Sequence, residues 1–468
     1  MKISRTPSQK IQQNFNFYTE EQWKNIRKKY ENSTGSFFSA KKNESFIIVY
    51  ESEVTFLIGL GENPADHEVQ SVASKFAYDF RKKIKEAPST VNIHELDDGF
   101  QEAVISGLYL GTYEYPFEEK HPFYGKKFEL SVDLPAKKIK EISLKTKAIC
   151  EGQFACMDWL NKPQNFKQVS HISNYLKEIS EKYGFKLTVF DRKKSEKLGL
   201  GAFLAVNQGS SQEAAFTVIE YNYGKKSAKT VGLVGKCVLF DTGGISIKSS
   251  DNMHYMKSDM GGATAVIGTL IAAAEMKLPV NITAVLPITD NAVSSTAYIP
   301  SDVITAYNGK TIEVLNTDAE GRITLADGLS YLSKNYKTDA LIDLATLTGS
   351  SVRMFGNTCG ALFSNSEELK NSLEKSGDRT NQRLWNMPLW DIWKDDFQSD
   401  VADFKNISLK PVGDCIVAAK FLEQFTEGHS NWAHLDIAGV AFGNVQYAKE
   451  KAATGYGVQL LIDFLENF

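Results

Sequence analysis

From residue 231 to residue 344 the chain alternates short, nearly continuous apolar runs with longer amphipathic ones. Residues 231–240, 281–287 and 340–344 are dominated by Val, Leu, Ile and Ala, the composition of strands covered on both faces. Residues 262–275 and 325–335 repeat apolar positions at helical spacing. Upstream, helices are predicted over 150–160, closed by Asn161-Lys162-Pro163, and over 169–183. Strands are predicted at 185–190 and 216–221. Strands and helices in this order predict an α/β domain with a mixed, mostly parallel central sheet covered by helices.

The first 140 residues show a smaller version of the same rhythm. Residues 45–50 and 55–60 read as strands, and 67–84 and 99–113 as helices, which predicts a small α/β domain with a partly parallel sheet. Gly59-Leu60-Gly61 reads as a strand-to-helix turn rather than a phosphate loop, because a glycine pair alone is a weak signal. Between about 115 and 145 the chain turns polar and lysine-rich, with Glu118-Glu119-Lys120 and then Lys137-Lys138-Ile139-Lys140. The expected organisation is a small N-terminal α/β domain over 1–140, a linker helix region over 141–165 and a larger α/β domain over 166–468.

Composition narrows the function classes. At 468 residues the chain is long for one core, and its 42% apolar and 24% charged content is ordinary for a globular protein. A net charge of −4 gives no electrostatic footprint for nucleic acid or for an anionic membrane. The five cysteines include no close metal-binding pair, and a sparse, odd set suits a reducing compartment. The N-terminal residues lack the apolar core of a signal peptide, and the longest apolar helical stretch, about 263–274, is too short to span a bilayer. A cytoplasmic location is the expectation.

Two windows concentrate the chemistry. Asn316-Thr317-Asp318-Ala319-Glu320-Gly321-Arg322 sets two carboxylates and a guanidinium within five residues. Spaced two apart, Asp318 and Glu320 share a face only in an extended segment, so an extended loop is expected, relaxed by Gly321. Taken alone, this stretch reads equally well as a solvated acidic turn. Upstream, Lys236, Asp241, Lys248 and Asp259 follow one another along a strand, a Thr242-Gly243-Gly244 turn and a loop, with Asp259 placed to cap the next helix. Four carboxylates carry about the charge that two divalent cations cancel, and paired ions of this kind lie roughly 3.5–4 Å apart. Ligands of such sheets gather beyond the carboxyl ends of the strands, where Asp241 and Thr346-Leu347-Thr348-Gly349 fall.

These segments resemble the leucine aminopeptidase family of hexameric two-metal exopeptidases. The resemblance rests on Asn316 to Arg322 with the Ile323-Thr324-Leu325-Ala326-Asp327-Gly328-Leu329 that follows. It rests equally on Asp241-Thr242-Gly243-Gly244-Ile245-Ser246-Ile247-Lys248 and Met256-Lys257-Ser258-Asp259-Met260-Gly261-Gly262, in matching order and spacing. It is close from about Cys156 to the C-terminus and weak before it. It implies an aminopeptidase that takes Leu or other apolar residues from peptide N-termini, with residues 166–468 as its metallopeptidase domain. Asp241, Asp259, Asp318, Glu320 and Lys236 would be the metal ligands. Oxygen donors of this kind admit Zn or Mn, and also Mg or Co. Lys236 ligates only as the neutral amine; its other reading is a salt bridge to Asp241.

Lys248, with the metal positions already filled by carboxylates, is expected to stay an ammonium facing the oxyanion formed during hydrolysis. By resemblance, Arg322 holds a bicarbonate ion that acts as general base, Met256, Thr346 and the Leu347 backbone line the substrate pocket, and Asn316 positions the loop or the substrate. The resemblance also implies a homohexamer. His254 reads as a loop residue, Tyr456 as a residue that narrows the pocket, and His434 and Asp436 as structural. The family typically has a glycine where Asp414 stands, so Asp414 receives no role. Two alternatives remain open: a dipeptidase or cysteinylglycine hydrolase using the same site, and a non-enzymatic or DNA-binding protein on the same scaffold.

Overall fold

The computed structural model describes residues 2–4, 13–51, 53–115, 129–225, 228–410 and 412–468. Glu118-Glu119-Lys120 and part of the N-terminal stretch fall outside the described residues. The chain divides into two compact units, Met1–Cys150 and Glu151–Phe468. The division falls within a single helix, Ala136–Asn161, so the helix expected over 150–160 is the end of a longer one. The lysine-rich run belongs to that helix because it is amphipathic. Ile139, Ile142 and Thr146 are buried at helical spacing, while Lys137, Lys140 and Lys147 face solvent.

The first unit holds a six-stranded sheet in the order Lys2–Ser4, Glu129–Val132, Ser89–Asn92, Gln13–Thr19, Glu53–Gly61, Ser45–Tyr50. Neighbours run parallel except the last pair. Phe15, Phe56 and Phe76 meet edge to face at its centre, with ring centroids 5.1–5.5 Å apart. The helix expected over 67–84 is two helices, Asp66–Asp79 and Arg81–Glu86. They are separated at Phe80, whose ring packs against Phe56. Gly59-Leu60-Gly61, expected as a strand-to-helix turn, is the end of the strand Glu53–Gly61, and Gly59 is required there because a Cβ would stand 2.2 Å from the Lys41 carbonyl oxygen.

In the second unit a nine-stranded sheet carries Asn281–Asn291, Thr230–Gly235, Ala340–Ala345 and Trp432–Asp436 side by side and parallel. Antiparallel neighbours flank this block: Gly360–Ser364 on Trp432–Asp436, and Ala215–Tyr221 on Asn281–Asn291. The α/β class and the mixed, mostly parallel sheet are as the sequence predicts. The run expected as one strand over 231–240 is two, Thr230–Gly235 and Cys237–Asp241. The break is at Lys236, whose N–H donates to the Leu344 carbonyl at 3.0 Å as the last bond to that neighbour. Beyond it the chain pairs only with Asn281–Asn291, in the register Cys237 to Ile288 and Asp241 to Asn291.

The start of the helix Gly261–Met276 packs into this junction. Ala263 N–H donates to the Lys236 carbonyl at 3.0 Å, and the backbones touch through glycine. A Cβ on Gly262 would lie 1.8 Å from the Leu344 carbonyl oxygen, and one on Gly235 would lie 2.6 Å from the Ala263 Cα. Glycine is required here for space. Gly262→Ala is therefore expected to lower stability by about 3 kcal/mol or more, at the upper end of overpacking penalties. Urea unfolding of the purified variant checks it, and an unchanged midpoint would refute the close approach.

Candidate metal centre

The division of the strand at Lys236 turns that side chain toward the interior. Its Nζ lies 2.7 Å from Asp259 Oδ2 and 2.9 Å from Glu320 Oε1, and donates to the Thr346 carbonyl at 3.0 Å. Gly321 is helical, and its lack of a side chain makes room for Lys236: a Cβ there would stand 2.6 Å from Lys236 Cε. The loop expected over 316–322 is instead a short 3-10 turn, Thr317–Ala319, leading directly into the helix Glu320–Asn335. Asn316 makes this possible by accepting from the Asp318 N–H at 2.8 Å, as N-cap residues do. Glu320 is then held on the first turn of a helix, where a carboxylate is favoured.

A second lysine bridges the other two carboxylates. Lys248 Nζ lies 2.8 Å from Asp241 Oδ2 and also pairs closely with Asp318 Oδ1. Asp241 Oδ1 accepts from the Gly243 N–H and from Asn291 Nδ2, both at 2.8 Å. Asn291 Nδ2 also reaches Glu320 Oε2 at 3.5 Å, so this one amide links the two windows. Lys236 does not pair with Asp241 as one reading of the sequence had it, because Lys248 takes that carboxylate. Nor does Asp259 cap the helix after it. Its Oδ1 accepts from Lys236 Nζ and from Thr346 Oγ1, each at 2.8 Å, and Met260 occupies the cap position.

Burial sets the electrostatics. Burial and the neighbouring Glu320 charge push the Asp241 carboxyl up to about 7, against the opposing pull of Lys248 and Lys236. Burial also raises Asp259 well above the ordinary carboxyl range and raises Asp318. Glu320 goes the other way, because Lys236 and Lys248 together outweigh its burial. Burial works against both ammonium groups, yet the surrounding carboxylates hold Lys236 and Lys248 above the usual lysine value. Oxygens of Asp241, Asp259 and Glu320 lie within 4.8 Å of one another, close enough to share one cation. This hard, anionic set, with Asp318 joined through Lys248 and one amine at Lys236, fits divalent metal.

Arg322 follows on the same helix turn and is 4% exposed. Its Nη1 donates to the Asn406 carbonyl at 3.0 Å and its Nη2 lies 3.3 Å from Asp414 Oδ1. Its Nε is buried and has no hydrogen-bond partner among the described residues, so one donor is open to an acceptor. Asn406 also brackets the Asn316 loop, accepting from Leu315 N–H at 2.8 Å and donating to the Asn316 carbonyl at 2.6 Å.

Met256 sits in the 3-10 turn Met253–Ser258 that delivers Asp259, and the ring of exposed His254 lies against that of Tyr255 in the same turn, tilted by 46°. Thr346 is tied to Asp259, and Leu347 N–H donates to Asp436 Oδ1 at 3.2 Å. Asp436 also accepts from Thr348 Oγ1 at 2.5 Å, so it shapes the loop after Ala340–Ala345. His434 is buried in a 2.6 Å pair with Asp343, which also accepts from Trp432 Nε1. Tyr456 does not narrow a pocket: it is buried, and its hydroxyl reaches the Gln382 and Arg383 carbonyls. Asn291 and Asn406 escaped the sequence reading. Asn291 ends the observed strand Asn281–Asn291, four residues beyond the predicted end at 287, so the rule that pointed to Asp241 stopped short of it. Asn406 carries no comparable signal.

The described residues contain no helix long and apolar enough to cross a membrane. The family model described as "Cytosol aminopeptidase family, catalytic domain" matches residues 154–462. A protein of Chloroherpeton thalassium named "Probable cytosol aminopeptidase" is 38% identical over 92% of this chain and 90% of its own length. One of the same name from Rickettsia massiliae is 43% identical over 79% of this chain and 75% of its own. Among solved structures, "Bottromycin maturation enzyme BotP in complex with Mn" superposes with a TM-score of 0.87 at 27% identity, covering 98% of this chain and 99% of that one.

The shift at Asp241 has a sign that can be tested. Its folded value of about 7 lies above the unfolded value near 3.8. The contribution of this group to stability is thus fully present below about pH 4 and is lost as pH rises through 7. Cation binding requires the bare carboxylate and runs the opposite way. Titration calorimetry with Mn²⁺ is expected to give tighter binding at pH 8 than at pH 6, with proton release at the lower pH. Equal affinities would exclude Asp241 as a titrating ligand.

Proposed function

The chain belongs to the cytosol aminopeptidase family and is a metal-dependent aminopeptidase; we propose that its centre is the six-residue cluster of Lys236, Asp241, Lys248, Asp259, Asp318 and Glu320. The observation that carries the assignment is the convergence of four carboxylates on two lysines at the carboxyl ends of parallel strands. In this reading Asp241, Asp259, Asp318 and Glu320 hold two divalent ions, Zn or Mn, with Mg or Co also compatible, and Lys236 adds its neutral amine. When bound, the ions would supply Lewis acidity toward the scissile carbonyl and a water of lowered pKa.

The chain's own residues do the rest. Lys248 keeps its proton and opposes the negative charge that grows on the carbonyl oxygen. Arg322, with Nε open, offers a planar fork for a small planar anion, here bicarbonate, whose chemistry is that of a general base. Met256, Thr346 and Leu347 flank the cluster and would contact the first side chain of the peptide. Methionine adapts to varied apolar shapes, which suits Leu-like residues. Asn316 holds the Asp318 turn in place. Family membership supports a homohexamer and a cytosolic location, and the peptide substrate follows from the activity.

The same machinery would serve cysteinylglycine or other dipeptides, and relative rates on Cys-Gly and Leu amides separate that alternative. The main test is hydrolysis of a leucine anilide. A chelator should abolish it, Mn²⁺ or Zn²⁺ should restore it, and elemental analysis should find two ions per chain. Asp318→Ala should lower the metal content. Lys248→Ala should keep the metal and lose about 10²–10³-fold in kcat with little change in KM. Full activity in Lys248→Ala would remove it from the chemistry.

A further inference from the structure

Arg322 is almost fully buried, yet its hydrogen bonding is unfinished on one edge. Nη1 is committed to the Asn406 carbonyl. The opposite edge, Nε with Nη2, is the one a planar anion engages with two parallel bonds. On that edge Nε has no partner among the described residues and Nη2 meets a single oxygen of Asp414 at 3.3 Å. A firm charged pair of this kind would be about 2.7–2.9 Å and often bidentate, so the contact is loose. The Asp414 side chain is 45% exposed and can swing into solvent. Its other oxygen accepts from Ser350 Oγ at 3.2 Å, and that hydroxyl also reaches Thr348 at 3.2 Å, which anchors to Asp436.

We propose that Asp414 is a displaceable internal counter-ion of Arg322: it competes with the exogenous planar anion for the Nε/Nη2 edge and so sets the concentration of anion the enzyme needs. An anion that engages both donors must take the Nη2 bond from Asp414 and lie beside a like charge. The inference rests on the reading of Arg322 as the anion site. Asp414 also begins the helix Asp414–Glu423, where a carboxylate is favoured, and that purely structural role predicts no change in anion response.

The test uses full-length, metal-loaded protein in carbon dioxide-depleted buffer, titrated with bicarbonate. Two readouts are taken: thermal stabilisation without substrate, and the rate of leucine anilide hydrolysis. Asp414→Asn removes the charge and keeps the shape; Asp414→Ala removes both. Both variants are expected to reach half-saturation at about three- to fivefold lower bicarbonate than the native chain, the size of effect a half-exposed pair supports. If the native chain and the variants respond at the same concentration, the competition is overturned while the anion site stands. If none of them responds in either readout, both readings fall. If the variants need more bicarbonate, or lose activity that bicarbonate does not restore, Asp414 assists the anion and the proposal is overturned.

Discussion

Buried negative charge is the constraint from which the second unit's architecture follows. Asp241, Asp259 and Glu320 are almost wholly removed from water and within 4.8 Å of one another. Carboxylates in that situation either take up protons or gather cations, since the desolvation of each is several kcal/mol. The fold supplies two ammonium groups, each between two carboxylates; they hold Glu320 low, while burial outweighs them at Asp241, Asp259 and Asp318. Glu320 is the only one of the four held low, and it sits on a helix N-terminus against Lys236. The carboxylates raised by burial are the ones a cation would relieve most. A site that is costly when its charges are bare is one that binds metal with strong dependence on pH.

The cluster is positioned by backbone events rather than by local side-chain preference. Ending one strand pairing at Lys236 allows the chain to carry on as Cys237–Asp241 along a single neighbour, and brings Asp241 opposite Asn291 at the carboxyl ends of both strands. The same break admits Gly261–Ala263 against Leu344, which fixes Asp259 immediately upstream. Gly321 repeats the device on the opposite side of Lys236. Three close approaches through glycine therefore set the distances among charged groups drawn from separate segments. Substituting any of them moves charged groups, so stability and, on the proposed reading, metal affinity are coupled through the same atoms.

Much of this was legible in the chain. Strands buried on both faces must be apolar, and so 281–287 and 340–344 announced themselves, as did the helix from Gly261. The site-bearing motifs stood out because charge is rare at the ends of such strands. Other features were hidden for physical reasons. The helix start at Glu320 was obscured by Asp318, Gly321 and Arg322 within five residues, and the Asn316 cap and the room Gly321 leaves for Lys236 explain it. Lys236 interrupts a strand that hydrophobic pattern alone reads as continuous, because the interruption is made by hydrogen bonds to distant segments. Asn406 links Arg322 to the Asn316 loop across about ninety residues, as the separations of 84 and 90 positions show, and no local pattern encodes that.

The two lysines are alike in sequence and different in physical situation. The Lys236 side chain is 4% exposed, wedged against the Cα of Gly321 and bonded to the Thr346 carbonyl, so its nitrogen has one available position. A nitrogen fixed that firmly suits coordination, where displacement by a few tenths of an ångström weakens a bond to metal. The Lys248 side chain is 23% exposed and pairs with Asp241, which precedes the positive-φ glycines Gly243 and Gly244, and with Asp318 in the Thr317–Ala319 turn. It retains contact with water and with anything that enters from solvent. Strong opposing charge keeps its proton in place, which is what a group meeting a developing oxyanion needs. On the proposed reading, this difference in exposure separates the roles: the enclosed amine would face the ions, and the accessible ammonium would face the peptide.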